Sequence, residues 1–239
     1  MMKSREEELL KTIRILSEGT DGFTNPKLIL IGGYALRVFI PFSRFTRDCD
    51  FIVKKKNGWN LDRLREIIPD YAVENEERHE SHGFMRCIKF LQHDKLRIKV
   101  SLDFMEGEVR GRRLEETILI DDAMAQNSKF VHLTIADEDV DVLVPSYLDY
   151  FIMKVVSSRA SDIRDIASLI HERGAPSGLT ERVKQILPYP ETFQMSAKQK
   201  IIPEIRKATF LNSWRGIFAT TSYLEEDKEK VVEQLKKTL

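Results

Sequence analysis

Residues 28–53 read LILIGGYALRVFIPFSRFTRDCDFIV, and their pattern is the most informative one for the architecture. The all-apolar run at 28–31 is typical of a strand that is covered on both faces. The glycine pair after it predicts a turn into a short helix over 33–40, which Pro41 closes. A second strand is expected over 48–53. The stretch therefore predicts a strand, a glycine turn, a helix and a second strand.

The second of these strands begins with two carboxylates. Because successive side chains of a strand point to opposite faces, Asp48 and Asp50 should share one face, while Cys49 and Phe51 turn into the core. Strand geometry places two such carboxylates roughly 6–7 Å apart, a spacing that can share two Mg²⁺ ions about 3.5–4 Å apart. The pair is therefore a candidate metal site.

The composition limits the classes of function. The chain has 239 residues, of which 42% are hydrophobic, so it can bury a sizeable core as one large domain or two modest ones. Its 38 basic residues balance 38 acidic ones. A neutral total argues against indiscriminate binding to nucleic acid or to an anionic membrane, so a polyanionic partner must meet a local patch.

The cysteines and the N-terminus indicate the compartment. Cys49 and Cys87 lie in apolar runs without the spacing of a metal finger, as expected of small core residues in a reducing compartment. Residues 1–8 lack the apolar segment of a secretory signal, and no window approaches the roughly 18–20 apolar residues of a membrane span. We expect a soluble, cytoplasmic protein without a membrane partner.

Beyond this stretch, the pattern first favours strands. An amphipathic helix is expected over 5–16, and Asn60 should cap a helix over 60–68. From 71 to 144 the hydrophobic period is two, which predicts strands at 84–91, 97–104 and 130–135. In the strand at 97–104 the alternation is strict. Asp103 should therefore project from the face opposite its apolar neighbours, like the earlier acidic pair.

After Pro145 the pattern becomes helical. A helix is expected over 146–157, followed by one that Ser161 caps and Gly174 stops. Further helices are expected at 179–187, 197–209 and 225–237. The best boundary lies at Val144–Pro145, which divides the chain into a mixed sheet domain (1–144) and a helical C-terminal domain (145–239).

The string Gly32-Gly33 … Arg44-x-Thr46-x-Asp48-x-Asp50 resembles the signature of the DNA polymerase beta-like nucleotidyltransferase superfamily. Its Arg-x-Thr-x-Asp-x-Asp form is similar to that of the AbiEii-type nucleotidyltransferases, which are toxin components of toxin–antitoxin pairs. A second match, Lys154 … Arg159 … Asp162-Ile163-Arg164-Asp165-Ile166, is similar to the helices that follow the sheet in those proteins. The likeness covers residues 28–170.

The resemblance implies a fold and a catalytic centre. The fold would be mixed α+β, with a nucleotidyltransferase-type mixed sheet flanked by helices over 1–144, a helical C-terminal domain, and the active site in the cleft between them. Asp48 and Asp50 would hold two Mg²⁺ ions, or Mn²⁺ in their place. Asp103 would complete the coordination of one ion and help to activate the acceptor hydroxyl. Glu106 and Asp94 are alternative candidates for this third acid.

The resemblance also implies nucleotide contacts, each with a simpler alternative. Gly32 and Gly33 open a helix whose N-terminus suits a triphosphate, although paired glycines also form ordinary tight turns. Arg44 and Thr46 belong to the same motif. Lys154 either contacts the triphosphate or is a surface lysine whose stem covers apolar surface. Separately, we expect a structural role for two acids that complement a helix dipole, Asp162 and Asp165, with Arg159 and Arg164 as ion-pair partners.

Other motifs are better explained without chemistry. His79-Glu80-Ser81-His82 lacks further zinc ligands, so surface residues are favoured over a metal site. Lys54-Lys55-Lys56 and Arg110-Gly111-Arg112-Arg113 can guide an RNA backbone, but charge runs are more often solvated faces. Phe210 and Trp214 can form an interaction surface, but helical spacing favours the core.

The resulting hypothesis is transfer of a nucleoside monophosphate from an NTP to a hydroxyl of RNA, such as tRNA, in a toxin-like role with a cognate antitoxin. An alternative keeps the chemistry and makes the acceptor a small molecule or a protein side chain, which the neutral net charge favours. A third hypothesis is a nucleotide-binding module without turnover. The presence of all three acids argues against it.

Overall fold

The computed structural model describes residues 2–42, 44–54, 59–93 and 96–239. In chain order the elements are α1 (Met2–Gly19), β1 (Leu28–Ile31), α2 (Gly32–Phe39), β2 (Asp48–Val53), α3 (Leu61–Ile67), β3 (Ala72–Arg78), β4 (Gly83–His93), β5 (Leu96–Glu106), β6 (Glu108–Arg110), a 3₁₀ turn (Leu114–Glu116), β7 (Thr117–Leu119), α4 (Asp122–Asn127), β8 (Lys129–Ile135), β9 (Glu138–Val144), α5 (Tyr147–Ser157), α6 (Ala160–Arg173), α7 (Leu179–Ile186), α8 (Glu191–Met195), a π-helical segment (Ser196–Ile201), α9 (Ile202–Ile205), α10 (Phe210–Phe218) and α11 (Glu225–Lys236).

The chain divides into two compact units. Unit 1 consists of Met1–Ala35, Thr46–Val109 and Ile120–Pro145. Unit 2 consists of Leu36–Phe45, Arg110–Leu119 and Ser146–Leu239. The predicted domain boundary at Val144–Pro145 stays a prediction.

Unit 1 is built on a mixed sheet with the strand order β1-β2-β5-β4-β3. Strands β2 and β5 pair in parallel, and the other neighbours pair antiparallel. Strand β1 is buried along its whole length, as its apolar run predicts. The mixed α+β class is confirmed, and β1 and β2 have the predicted bounds.

The core of unit 1 lies on one face of this sheet. The ring of Phe51 stacks on that of Phe104, with centroids 5.7 Å apart, and on that of Phe23 at 6.4 Å. Helix α1 packs against β5 and α3 through fully buried side chains such as Ile13. Cys49 and Cys87 are both buried and are not joined by a disulfide. Burying this apolar surface is what stabilises the unit.

Unit 2 has an aromatic core. The indole of Trp214 stacks on the ring of Tyr223 at 3.9 Å and donates a hydrogen bond to the Ser168 hydroxyl at 2.8 Å. Phe210 is buried beside them. The expectation that Phe210 and Trp214 belong to the core is therefore confirmed. No helix of the described residues is long and apolar enough to cross a membrane.

Three local predictions were wrong. Asn60 occupies the N-cap position of α3, but the expected side-chain capping hydrogen bond is absent, and its amide donates to the Glu106 carboxylate instead. Ser161 lies inside α6, whose N-cap is Arg159. The helix expected over 197–209 is a π-helical segment followed by the short α9, which ends at Ile205. Helices α4, α8 and α10 had no sequence prediction.

Candidate active site

Two carboxylates project from the start of β2. Asp48 is exposed and Asp50 is half-buried, whereas Cys49 and Phe51 are fully buried. This alternation agrees with the predicted division of the strand into an acidic face and a core face. Because both aspartates lie on the same face, their charges add at one place on the sheet.

The parallel pairing of β2 with β5 brings a third acid to the same face. Asp50 is the register partner of Asp103. Neighbouring strands are about 4.8 Å apart, and partners in register project to the same side. Glu106 pairs with Val53 and therefore projects to the opposite face, where it is buried and accepts hydrogen bonds from Asn60. The geometry thus favours Asp103 over Glu106. Asp94 lies outside the described residues.

The carboxylate of Asp103 is held by an arginine. Arg86, its register partner on β4, donates from Nε to Oδ1 at 2.7 Å and from Nη2 to Oδ2 at 2.5 Å. The hydrogen bond to Asp103 raises the pKa of the Arg86 guanidinium, and the charges of Asp103 and Asp48 add to the effect.

Within the described ranges, no group of three or more His, Cys, Asp or Glu side chains is arranged to hold a metal ion.

Sequence reasoning missed Arg86. The available signal was that Arg86 and Asp103 carry opposite charges and are equally distant from the His93–Leu96 pair at the end of the β4–β5 hairpin. Reading that signal requires the strand register, because the two residues are far apart in the chain.

The glycine pair opens α2 directly after β1. Gly32 has a φ of +69°, and a Cβ there would overlap the Asp50 carboxylate. A Cβ at Gly33 would lie 2.6 Å from Oγ1 of Thr46, whose hydroxyl donates to the Asp48 carbonyl at 3.3 Å. Both glycines are therefore required by the close approach of residues from the acidic motif, in addition to any contact with a phosphate.

In unit 2, the motif residues Arg44, Lys154, Asp162 and Asp165 form one buried network. Arg44 donates from Nε and Nη2 to the two oxygens of Asp165, each at 2.7 Å. The Lys154 ammonium donates to Asp165 at 2.8 Å and to Asp162 at 3.0 Å. The side chains of Lys154 and Asp165 are 7% and 0% exposed. Two cations and two anions therefore balance each other out of solvent.

Burial and pairing act in opposite directions on these groups. Burial alone would lower the pKa of Lys154, but the charges of Asp165, Tyr150 and Asp162 together outweigh it, so that pKa is raised. Burial alone would raise the pKa of Asp162, but the charge of Lys154 and the hydrogen bonds from Ser157 and Lys154 outweigh it, so that pKa is lowered. Both groups are stabilised in their charged forms.

This network corrects two expectations. Lys154 is buried and paired, so the alternative of a surface lysine was wrong. Arg164 does not pair with the two aspartates, because its guanidinium contacts Glu204 and Ser213. Arg159 offers Asp162 its backbone N–H and its charge.

The remaining polar motifs are partly internal. His82 is buried and stacks on His79, with ring centroids 4.3 Å apart, so the surface assignment was wrong for His82. Lys54 donates to the Ile120 carbonyl and pairs with Asp122, each at 3.1 Å, rather than lying on a solvated face. Lys55 and Lys56 lie outside the described residues. The arginines of 110–113 are exposed, as predicted.

The comparisons with known proteins identify the family. A model of the family described as "Nucleotidyl transferase AbiEii toxin, Type IV TA system" matches residues 14–234. The chain belongs to the AbiEii nucleotidyltransferase family. The resemblance of its motifs to that family is thereby confirmed, and the protein is a nucleotidyltransferase.

Two crystal structures from Helicobacter pylori are similar to this AbiEii-family chain. One, of a protein described as a candidate nucleotidyltransferase, has 15% identity over 97% of this chain and 95% of that chain, with a TM-score of 0.48. The other, JHP933, has 14% identity over 97% and 92% of the two chains, also with a TM-score of 0.48. No curated protein matches the chain significantly.

Nucleotidyltransferases of the AbiEii kind generally use divalent metal ions. The acidic face offers three carboxylates, and oxygen ligands are those that Mg²⁺ and Mn²⁺ prefer. Asp48 is exposed, so its carboxylate is open to solvent. The chemistry of these carboxylates therefore fits a divalent cation. Asp103 is already hydrogen-bonded to Arg86, so a cation that binds Asp103 would have to share it with the arginine or displace the arginine.

Replacement of Gly32 by alanine tests the close approach to Asp50. Gly22 is a matched control, because its φ of +67° is nearly the same but nothing lies within 4 Å of a Cβ there. Gly22→Ala should lower the free energy of unfolding by about 1–2 kcal/mol. Gly32→Ala should lower it by about 1–3 kcal/mol more, because the methyl group displaces Asp50. Urea unfolding measures both, and equal losses would contradict the packing described above.

Acid unfolding tests the Asp162–Lys154 pair. Because the folded pKa of Asp162 lies below its ordinary value of 3.8, its stabilising effect is complete above that pH and is lost as the pH falls through the folded pKa. Asp162→Asn should therefore be less stable than the wild type near neutral pH, and the difference should shrink below about pH 4. Urea midpoints across this range measure it, with the exposed Asp139→Asn as control. A difference independent of pH would refute the pairing.

Proposed function

We propose that this enzyme transfers a nucleoside monophosphate from an NTP to a hydroxyl group of RNA, tRNA in particular, and that it acts as a toxin with a cognate antitoxin. The observation that carries this proposal is the register of β2 and β5. It sets Asp103 beside Asp50, on the face that also carries Asp48, where α2 begins. We also propose the cytoplasm as its compartment, since its two cysteines are not joined by a disulfide.

Asp48, Asp50 and Asp103 are the proposed holders of two Mg²⁺ ions, or of Mn²⁺. The chemistry supplied on metal binding is a lowered pKa of the acceptor hydroxyl and neutralisation of the charge that develops on the departing pyrophosphate. Asp103 lies beside Asp50 in the sheet and is the proposed residue that helps to take the proton of the acceptor hydroxyl. Phosphoryl transfer depends on positioning and charge stabilisation, so no covalent nucleophile is required.

The proposed nucleotide contacts are residues of the family motif. Gly32 and Gly33 open α2, where backbone N–H groups and the positive end of the helix dipole suit a triphosphate. Thr46 packs on Gly33 and thereby supports the glycine turn between β1 and α2. Arg44 and Lys154 are proposed as nucleotide contacts because they occupy positions of the family's motif. Since both contact Asp165, each would exchange part of that contact for a phosphate oxygen.

An exposed arginine loop supports an RNA acceptor. Glu116, which is buried, accepts hydrogen bonds from the backbone N–H of Arg112 and from Arg113 Nε, both at 3.0 Å. A Cβ at Gly111 would lie 2.5 Å from Glu116, so the loop folds closely around this carboxylate. Arg110 and Arg112 are exposed. Exposed guanidinium groups on a loop that is hydrogen-bonded to Glu116 suit the phosphate backbone of a nucleic acid.

A second candidate keeps the chemistry and changes the acceptor to a small molecule or a protein side chain. The balance of 38 basic and 38 acidic residues favours it, because such acceptors need no large basic surface. The fraction that acquires label in the experiment below distinguishes the two acceptors.

Incubation with radiolabelled NTP, Mg²⁺ and total RNA tests the reaction. The wild type should label RNA, and Asp48→Ala should reduce the rate at least about a hundredfold, because the site loses a metal ligand. The control is Asp139→Ala, which removes an exposed aspartate from β9. Label in protein or in small molecules would favour the second candidate, and equal labelling by wild type and Asp48→Ala would remove the metal assignment.

The arginine loop is tested by RNA binding without turnover. The double variant Arg110→Gln/Arg112→Gln should weaken binding at low salt and reduce the slope of log affinity against log salt by about 1–1.5, since two phosphate contacts are lost. The control double variant Lys236→Gln/Lys237→Gln removes the same charge from exposed positions near the end of unit 2. Equal effects of the two double variants would assign the loss to net charge alone.

A further inference from the structure

We propose that Arg86 is a positioning residue that holds Asp103 until a divalent cation takes its place, so that cation binding and release of Arg86 are one exchange. This inference rests on the proposed function, in which Asp48, Asp50 and Asp103 receive the cation. It concerns how the site is kept before the cation arrives.

Both oxygens of Asp103 are already used. The guanidinium of Arg86 meets them as a fork, with one N–H group to each oxygen at 2.7 and 2.5 Å. The Asp103 side chain is only 9% exposed, so solvent has little access to its remaining lone pairs. Fork-shaped pairs of this kind are among the stronger hydrogen bonds in proteins. A cation that binds Asp103 must therefore displace at least one of these N–H groups.

Electrostatics gives the reason for the pair. Asp50 and Asp103 are neighbours in register, and two carboxylates at that spacing destabilise each other when both are ionised. The guanidinium supplies the compensating charge, and Asp48 also acts on it. Arg86 therefore performs, in the protein alone, the neutralisation that a divalent cation performs in the loaded site. Because both cations serve the same carboxylates, they compete.

The two partners differ in their freedom to move. Asp103 is held in β5 between β2 and β4, and its side chain is nearly inaccessible. The Arg86 side chain is 38% exposed and extends past the ring of Phe84, with its guanidinium carbon 5.7 Å from the ring centroid. A long, partly exposed side chain can change rotamer without unpacking the core. Arg86 is thus the partner that leaves.

Binding of Mn²⁺ to the full chain without nucleotide, followed by electron paramagnetic resonance, tests the exchange. Arg86→Gln should bind Mn²⁺ about fivefold more tightly than the wild type, because Asp103 no longer has a competing partner. Arg86→Lys keeps the charge but loses the fork, so it should bind with intermediate affinity. The gain should vanish in the double variant Arg86→Gln/Asp103→Asn. A purely structural role for Arg86 would instead weaken Mn²⁺ binding.

A matched control separates occupancy from net charge. Lys99→Gln removes a positive charge from β5 on the same face as Asp103, and its own partner is Glu74. If Arg86→Gln gains no more affinity than Lys99→Gln, and Arg86→Lys binds like the wild type, the exchange is refuted while the metal site stands. If no variant binds Mn²⁺, Arg86→Gln included, the metal assignment of the proposed function fails as well.

Discussion

The parallel pairing of β2 with β5 fixes the geometry of the site. It sets two carboxylates, Asp50 and Asp103, side by side on a sheet whose other face is the apolar core. Like charges at this spacing oppose folding unless a cation lies close to them. The local structure follows from this requirement. Arg86 reaches Asp103 from β4, and Gly32 leaves the space that Asp50 occupies at the start of α2.

The same physical solution recurs away from the sheet. Asp165 is fully buried and meets both Arg44 and Lys154, and Glu116 is buried and meets Arg113 and Lys200. In each place a buried carboxylate organises cations from segments that are distant in the chain. Such pairs add little net stability relative to an apolar core, but they define one arrangement of the segments, since an unpaired buried charge is costly.

Local patterns predicted the parts of the fold that local physics determines. The apolar run of β1 and the alternation in β2 and β5 were sufficient to locate these strands. They also placed Asp48, Asp50 and Asp103 on the strand faces opposite the apolar core. Arg86 and the partners of Asp165 were missed because they depend on register and on contacts between residues far apart in sequence. Asn60 and Ser161 were misjudged because a tertiary partner or an earlier helix start overrode the capping preference.

The buried network of unit 2 has an evolutionary consequence. Its four side chains come from the loop before β2, from α5 and from α6, and their charges sum to zero. Loss of a single member leaves an orphan charge in the interior, whereas simultaneous loss of a cation and its anion leaves none. Homologous sequences should therefore vary at positions 44, 154, 162 and 165 in concert. Covariation among these four positions in an alignment would show that the charge neutrality of the network is maintained during evolution.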